Sequence, residues 1–176
     1  MNLKIAVNEN DQKQGNPLAP LVLVEYGDYE CPHCGAAYPV VKELQRYFGN
    51  DLLLVFRNFP LAEIHPHALL AAYTAEASGL QDKFWPVHDL IFENQQRLSA
   101  RQVIIFAEDA GADVEQLSKD IQSSRIISKV EDDMLGGARS GVNGTPTFFI
   151  NGKRYEGYHD FARLKEALEK LLDTSI

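Results

Sequence analysis

The chain predicts an α/β fold in the order βαβ, a helical insertion, then ββα, around a central sheet. Three observations predict it. Two short β-branched and apolar runs, 21–26 and 51–56, flank a segment whose apolar residues recur every three or four positions. The long stretch 61–135 keeps helical spacing throughout. Finally, Asn151-Gly152, a strong two-residue hairpin signal, separates two more strand-like runs ahead of a last amphipathic segment.

Taken in order, Leu3 to Val7 alternates apolar and mixed residues and predicts a short edge strand. Residues 8–20 are polar, carry Gly15, Pro17 and Pro20, and read as a connecting loop. "LVLVEY", 21–26, has the pattern of a strand buried on both faces. From His33 to Phe48 the period becomes helical, with Ala37, Val40, Val41, Leu44 and Phe48 on one stripe and Gly49-Asn50 as the stop. "DLLLVF", 51–56, is the second strand, and the helix between the two predicts a parallel pair. In the helical stretch, Leu69 to Tyr73 and Phe84, Val87, His88 and Ile91 have helical spacing. Ser99 with Gln102 forms a capping pattern ahead of Val103, Ile104 and Ala107; Gly111 ends that helix, and Asp113 with Gln116 begins another. Gly136, Gly137, Gly141 and Gly144 read as loop glycines, since neither phosphate-binding glycine pattern is present. Thr147 to Ile150 and Lys153 to Tyr155 form the hairpin, and a helix after Asp160 places Phe161, Leu164, Leu168 and Leu171 on one face. These boundaries give an N-terminal arm with an edge strand over 1–18, a sheet domain over 19–61 and 136–176, and a helical insertion over 62–135.

The composition, 45% apolar and 24% charged, is that of an ordinary globular protein. A net charge of −8 opposes a general role on nucleic acid or an anionic membrane surface. No apolar run is long enough to span a bilayer. The first residues lack an apolar h-region and a small-residue cleavage site. The sequence therefore reads as cytoplasmic as it stands, or as an exported protein, periplasmic or secreted, whose signal has been removed.

Cys31 and Cys34 are the only cysteines, separated by Pro32 and His33. Three positions apart, they cannot staple distant segments. A zinc site needs two further ligands, for which His33, His65, His67, His88 and His159 are the histidines on offer. No second C-x-x-C or H-x₃-H accompanies them. His65, His67 and His159 read instead as surface or cap residues, His88 as a packed or surface helix residue, and Phe84 and Trp85 as core. The remaining reading is a reactive pair. A thiolate at a helix N-terminus faces unpaired N–H groups and the positive end of the dipole, so Cys31, the exposed leading sulfur, has a depressed pKa. Pro32 suits the first turn because its missing N–H is not needed there. His33 adds a positive charge or a hydrogen bond to the same thiolate. Cys34, one turn in, is more buried and less acidic.

Strand–CPHC–helix resembles the thioredoxin superfamily, and the Pro-His dipeptide resembles the bacterial DsbA group of thiol:disulfide oxidoreductases. The resemblance runs from about Pro20 to the last helix and implies roles for further residues. Glu25 resembles the buried acid that manages protons for the second cysteine, and Pro39 the kink proline of the active-site helix. The segment Gly141 to Phe149, with Thr145 and Pro146, resembles the one carrying a cis-proline that faces the cysteines. Such a proline would expose the Thr145 backbone as an edge for a substrate peptide. The helical insertion is a feature of the same group. The resemblance also implies dithiol–disulfide exchange with protein or peptide thiols, no cofactor beyond the Cys31–Cys34 disulfide, and a redox partner that recycles the pair. Two departures stand out. Asp28 and Glu30 place carboxylates near Cys31, where like charge opposes a thiolate if they point at the sulfur. Thr145 stands where the DsbA group usually has valine. The alternatives are a non-catalytic redox-sensing or chaperone-like peptide-binding module, a structural zinc protein, and an isomerase; the last lacks a recognisable dimerisation region.

Overall fold

The computed structural model describes residues 1–173. The last three positions of the 136–176 segment lie outside the described residues. A five-stranded sheet has the order β1-β3-β2-β4-β5, with β1 Gln12–Gly15, β2 Leu21–Gly27, β3 Leu52–Asn58, β4 Thr147–Ile150 and β5 Lys153–Arg154. β2 and β3 run parallel, joined by α1, Pro32–Phe48, while the other pairs are antiparallel. Between β3 and β4 come five helices: α2 Ala68–Gly79, α3 Phe84–Glu93, α4 Ala100–Asp109, α5 Val114–Asp120 and α6 Ser124–Arg139. A final helix, α7 Phe161–Asp173, follows the β4–β5 hairpin. The α/β architecture with a central sheet is as the periodicities predict.

Strand alternation sorts side chains into two layers. Leu21 and Leu23 of β2, Leu52 and Leu54 of β3, and Phe148 and Ile150 of β4 face Ala37, Val41, Leu44 and Phe48 of α1 and Leu164 and Leu168 of α7. Val24, Tyr26, Val55 and Phe149 form the opposite layer, against Val142 and parts of the N-terminal arm. A third cluster lies among the inserted helices, where Phe84, Val87, Ile91, Val103 and Phe106 pack with Tyr29, Phe56 and both cysteines. The cysteines thus sit on the seam between the sheet and the inserted helices.

Helix starts follow the capping residues: the side chains of Ser99, Asp113 and Ser123 accept the N–H groups of Gln102, Gln116 and Ile126. Asn151 and Gly152 both take positive φ, 46° and 81°, as a tight hairpin requires.

Two expectations are corrected. The edge strand is not Leu3–Val7 but Gln12–Gly15, within the segment read as loop. The reason is Arg57 of β3. Its buried guanidinium grips the Asp11 carboxylate through two nitrogens at 2.8 Å and donates to the carbonyls of Ile5 and Ala6, so 3–7 is held by a side chain instead of a ladder. Asn2 alone keeps a bridge, to Lys153. Second, Gly136 and Gly137 are not loop residues; α6 runs through them to Arg139. The helix crosses the sheet closely there. A Cβ on Gly137 would lie 2.9 Å from both Tyr26 and Phe59, so the missing side chain serves packing.

Candidate active site

The loop from β2 to α1 carries the site. Cys31 is the N-cap residue of α1 and Pro32 its first helical residue, with an extended backbone at Cys31 (φ −70°, ψ 122°). Cys31 is not the exposed sulfur the sequence predicts: it is 4% exposed, and Cys34 is fully buried. The inserted helices pack against both cysteines, and the Thr145 carbonyl ahead of β4 lies on the Cys31 sulfur. The Cys31 thiol donates to the Thr145 carbonyl at 3.4 Å, just before the cis Thr145–Pro146 bond. The Asp28 N–H donates to the Cys34 sulfur at 3.4 Å, and the Asp28 carbonyl accepts the Cys31 N–H at 3.2 Å.

These contacts separate the two thiols. A hydrogen bond from the Cys34 thiol pulls the Cys31 pKa down to about 5; burial opposes this, and the Thr145 hydroxyl and the N–H groups of Cys34 and His33 add to it. His33 contributes through its backbone N–H, while its ring is exposed to solvent at the rim. Cys34 moves strongly upward, first because it is buried, then because its S–H donates a hydrogen bond to Cys31 and it feels Glu25. Glu25 itself, 3% exposed on the α1 face of β2 between Phe56 and Phe148, is raised to about 8 by burial. Pro39 lies inside α1, where it removes one backbone donor.

The two acidic residues flanking Tyr29 point neither at the sulfur nor into solvent. The buried Asp28 carboxylate accepts the N–H groups of Glu30 and Leu61 and hydrogen-bonds His65 Nδ1 at 2.8 Å. The Glu30 carboxylate takes both the N–H and Nδ1 of His67, at 2.6 and 2.8 Å. His67 is the N-cap residue of α2 and partly exposed, as the sequence reading has it, and both His65 and His67 also act as clasps. The loop between β3 and α2 folds over the cysteine loop and presents two histidines, two apart, to two acids, two apart. That equal spacing was the one signal in the sequence.

Gln95, which sequence reasoning missed, reaches from the 3-10 turn Gln95–Arg97 to donate to the carbonyls of Tyr29 and Cys31, at 2.9 and 2.8 Å. Nothing in its local pattern marks it. Below, Tyr29 and the fully buried His88 share a 3.0 Å hydrogen bond inside an aromatic cage of Phe56, Phe84, Trp85 and Phe92; burial holds His88 neutral. Phe84 is core, and Trp85 is part-buried with its indole N–H on the Lys13 carbonyl. His159 stacks edge-on against Phe148. Among the described residues, no group of three or more His, Cys, Asp or Glu is placed to hold a metal ion.

A family model described as thioredoxin, Thioredoxin_4, matches residues 7–170. Among solved structures, a thioredoxin-like oxidoreductase from Silicibacter pomeroyi is 26% identical, with 94% of each chain covered and a TM-score of 0.83. BdbD from Bacillus subtilis, oxidised, is also 26% identical, with 94% of each chain covered and a TM-score of 0.84. Wolbachia pipientis alpha-DsbA1 shares the fold at 21% identity and TM-score 0.84, over 96% of this chain and 94% of that one. Among curated proteins, the Na(+)/H(+) antiporter NhaA 1 of Mycolicibacterium gilvum is 43% identical over 163 residues, covering 92% of this chain and 26% of the antiporter. NhaA of Herminiimonas arsenicoxydans is 38% identical, covering 92% and 25%. The chain thus spans about a quarter of the length of the curated relatives it matches. Among the described residues no helix is long and apolar enough to cross a membrane.

Proposed function

The chain belongs to this thioredoxin family, and from that premise we propose that it is a DsbA-like thiol–disulfide oxidoreductase acting on protein or peptide thiols through Cys31 and Cys34. The observation that carries the reading is the asymmetry of the pair: one sulfur held as a thiolate near neutral pH, its neighbour buried and protonated. In the oxidised enzyme a substrate thiolate attacks the Cys31 sulfur. The Cys31–Cys34 bond breaks, its electron pair leaves on Cys34, and Cys34 takes up a proton. A second substrate thiolate attacks the substrate sulfur of the mixed disulfide; oxidised substrate leaves, and Cys31 departs as a thiolate. Two electrons pass to the cysteine pair and are removed by a recycling partner.

Glu25, buried and raised, suits proton exchange with Cys34. Pro32 starts the helix that aims its N–H groups at Cys31, and the exposed His33 borders the sulfur where a substrate would arrive. Thr145 and Pro146 are the proposed substrate edge. The buried Thr145 hydroxyl, which no other group engages, suits donation to the Cys31 thiolate, which cannot use the Thr145 carbonyl. A Cys34→Ala variant, which cannot resolve, is expected to accumulate mixed disulfides through Cys31. If Cys34→Ala captures no more thiol proteins than Cys31→Ala, the reading fails.

The similarity to antiporter segments favours one addition: that the recycling partner or the substrate is a membrane transport protein. Trapping in membrane fractions, with mass spectrometry of the captured chain, tests this. The direction of exchange follows the compartment, oxidation if the domain is exported and reduction if it is cytoplasmic. Thiol labelling with a membrane-impermeant reagent distinguishes the two.

A further inference from the structure

The mechanism above makes no use of the Asp28–His65 clasp, although the clasp is built into the cysteine loop. Asp28 touches both cysteines through its backbone, and its side chain, fully buried, holds His65 at 2.8 Å. One residue thus joins the Cys34 sulfur, the Cys31 N–H and the His65 ring. We propose that His65 is a positioning residue for the exchange reaction, an imidazolium clamped by Asp28 whose charge stabilises the Cys31 thiolate and ties reduction of the pair to uptake of a proton. The inference rests on the reading of Cys31 as the attacking thiolate.

The groups facing His65 come from two elements. The β2–α1 loop presents the carboxylates of Asp28 and Glu30, and the start of α1 presents Cys31; on its own loop, His67 is occupied by Glu30. Burial works against a charge on His65, but the hydrogen bond and charge of Asp28, with smaller contributions from Cys31 and Glu30, outweigh it and raise its pKa. Reciprocity then decides the sign. If a thiolate at Cys31 raises the proton affinity of His65, protonated His65 stabilises that thiolate by the same free energy. The N–H and S–H donors at the helix end remain the larger influences on Cys31; His65 adds a smaller, pH-dependent share. The clasp also answers the question posed by the acids at 28 and 30. Each carboxylate is hydrogen-bonded by a histidine, instead of being turned on the sulfur.

Disulfide formation removes the thiolate, so it lowers the His65 pKa; reduction raises it. The test follows the His65 ring by NMR through a pH titration of the full chain in its dithiol and disulfide forms. The expected result is a higher midpoint in the dithiol form, corresponding to about a two- to fivefold tighter proton, as for partly screened charges. Equal midpoints in the two forms would overturn the proposal even where Cys31 itself titrates low. A Cys31 that titrates near 8.5, as a free thiol does, would overturn the functional reading along with it. A His65→Asn variant supplies the second measurement, because the asparagine amide can replace the Nδ1–H hydrogen bond without the charge. It should melt close to the parent yet show a Cys31 titration displaced upward by the same two- to fivefold. A superimposable titration in a folded His65→Asn protein would mean that the clasp is only structural.

Discussion

Replacing Glu25 by glutamine should remove one component of stability that falls as pH rises across the neutral range. Glu25 lies on β2 under α1, opposite Phe56 and Phe148, where burial raises its pKa from 4.5 to about 8. The folded protein therefore holds a proton that the unfolded chain gives up above about 4.5. A group raised in this way contributes its full stability below the unfolded value and loses it as pH rises through the folded one. At about 1.36 kcal/mol per pH unit, the span from 4.5 to about 8 corresponds to about 5 kcal/mol, an upper figure because water can reach the acid as it ionises. Glutamine keeps the shape and cannot ionise. Urea unfolding at intervals from pH 4 to 9 reads the difference, in a Cys31→Ser/Cys34→Ser background so that no thiol titrates. The parent should lose stability relative to Glu25→Gln as pH rises from about 4.5 to about 8, so that the difference between the two is largest at pH 9. Parallel curves for the two proteins would refute the argument that burial keeps Glu25 protonated.

Other outcomes follow from the same geometry. With Cys31 at about 5, a lowered folded pKa, its stabilisation of the dithiol form is present above the ordinary thiol value and lost as pH falls through 5; at pH 7 it amounts to about 2.7 kcal/mol, readable as the fall in stability of the reduced parent between pH 7 and pH 4 relative to Cys31→Ala, in which Cys34 is kept. Gln95→Ala leaves the carbonyls of Tyr29 and Cys31 without their shared donor and should cost about 1–3 kcal/mol in thermal unfolding, with faster amide exchange at the start of α1; unchanged exchange there would show that Gln95 does not hold the loop. Gly137→Ala pushes a methyl against Tyr26 and Phe59 and should destabilise by about 1–3 kcal/mol, whereas Gly144→Ala, with nothing within 4 Å, should be close to neutral by the same measurement.

Much of the fold was legible because periodicity and capping are local. The stripe from Ala37 to Phe48 needs only its own turns to specify a helix, and Ser99 and Asp113 mark helix starts through bonds three residues away. The position of a lone C-x-x-C at the start of such a helix is local in the same sense. Where the sequence misled, the deciding partner was distant. Leu3–Val7 has the alternation of a strand, yet Arg57 captures the carbonyls of Ile5 and Ala6 and leaves the edge to the polar Gln12–Gly15. Gly136 and Gly137 look like loop residues because their reason for lacking side chains, the close approach of Ile5 to Gly136 and of Tyr26 and Phe59 to Gly137, lies in another part of the chain.

By itself, then, the sequence determined the succession of strands and helices, the hairpin at Asn151-Gly152, and the placing of two cysteines at a helix start. Only the tertiary structure decided which side chains meet there. It brought Gln95 onto the Cys31 carbonyl, Thr145 onto the Cys31 thiol, and His65 and His67 onto Asp28 and Glu30. It also set the charge of the site, since the raised acid at Glu25 and the divided thiols arise from burial and directed hydrogen bonds. Those depend on an assembled, water-poor interior, which no run of neighbouring residues can specify.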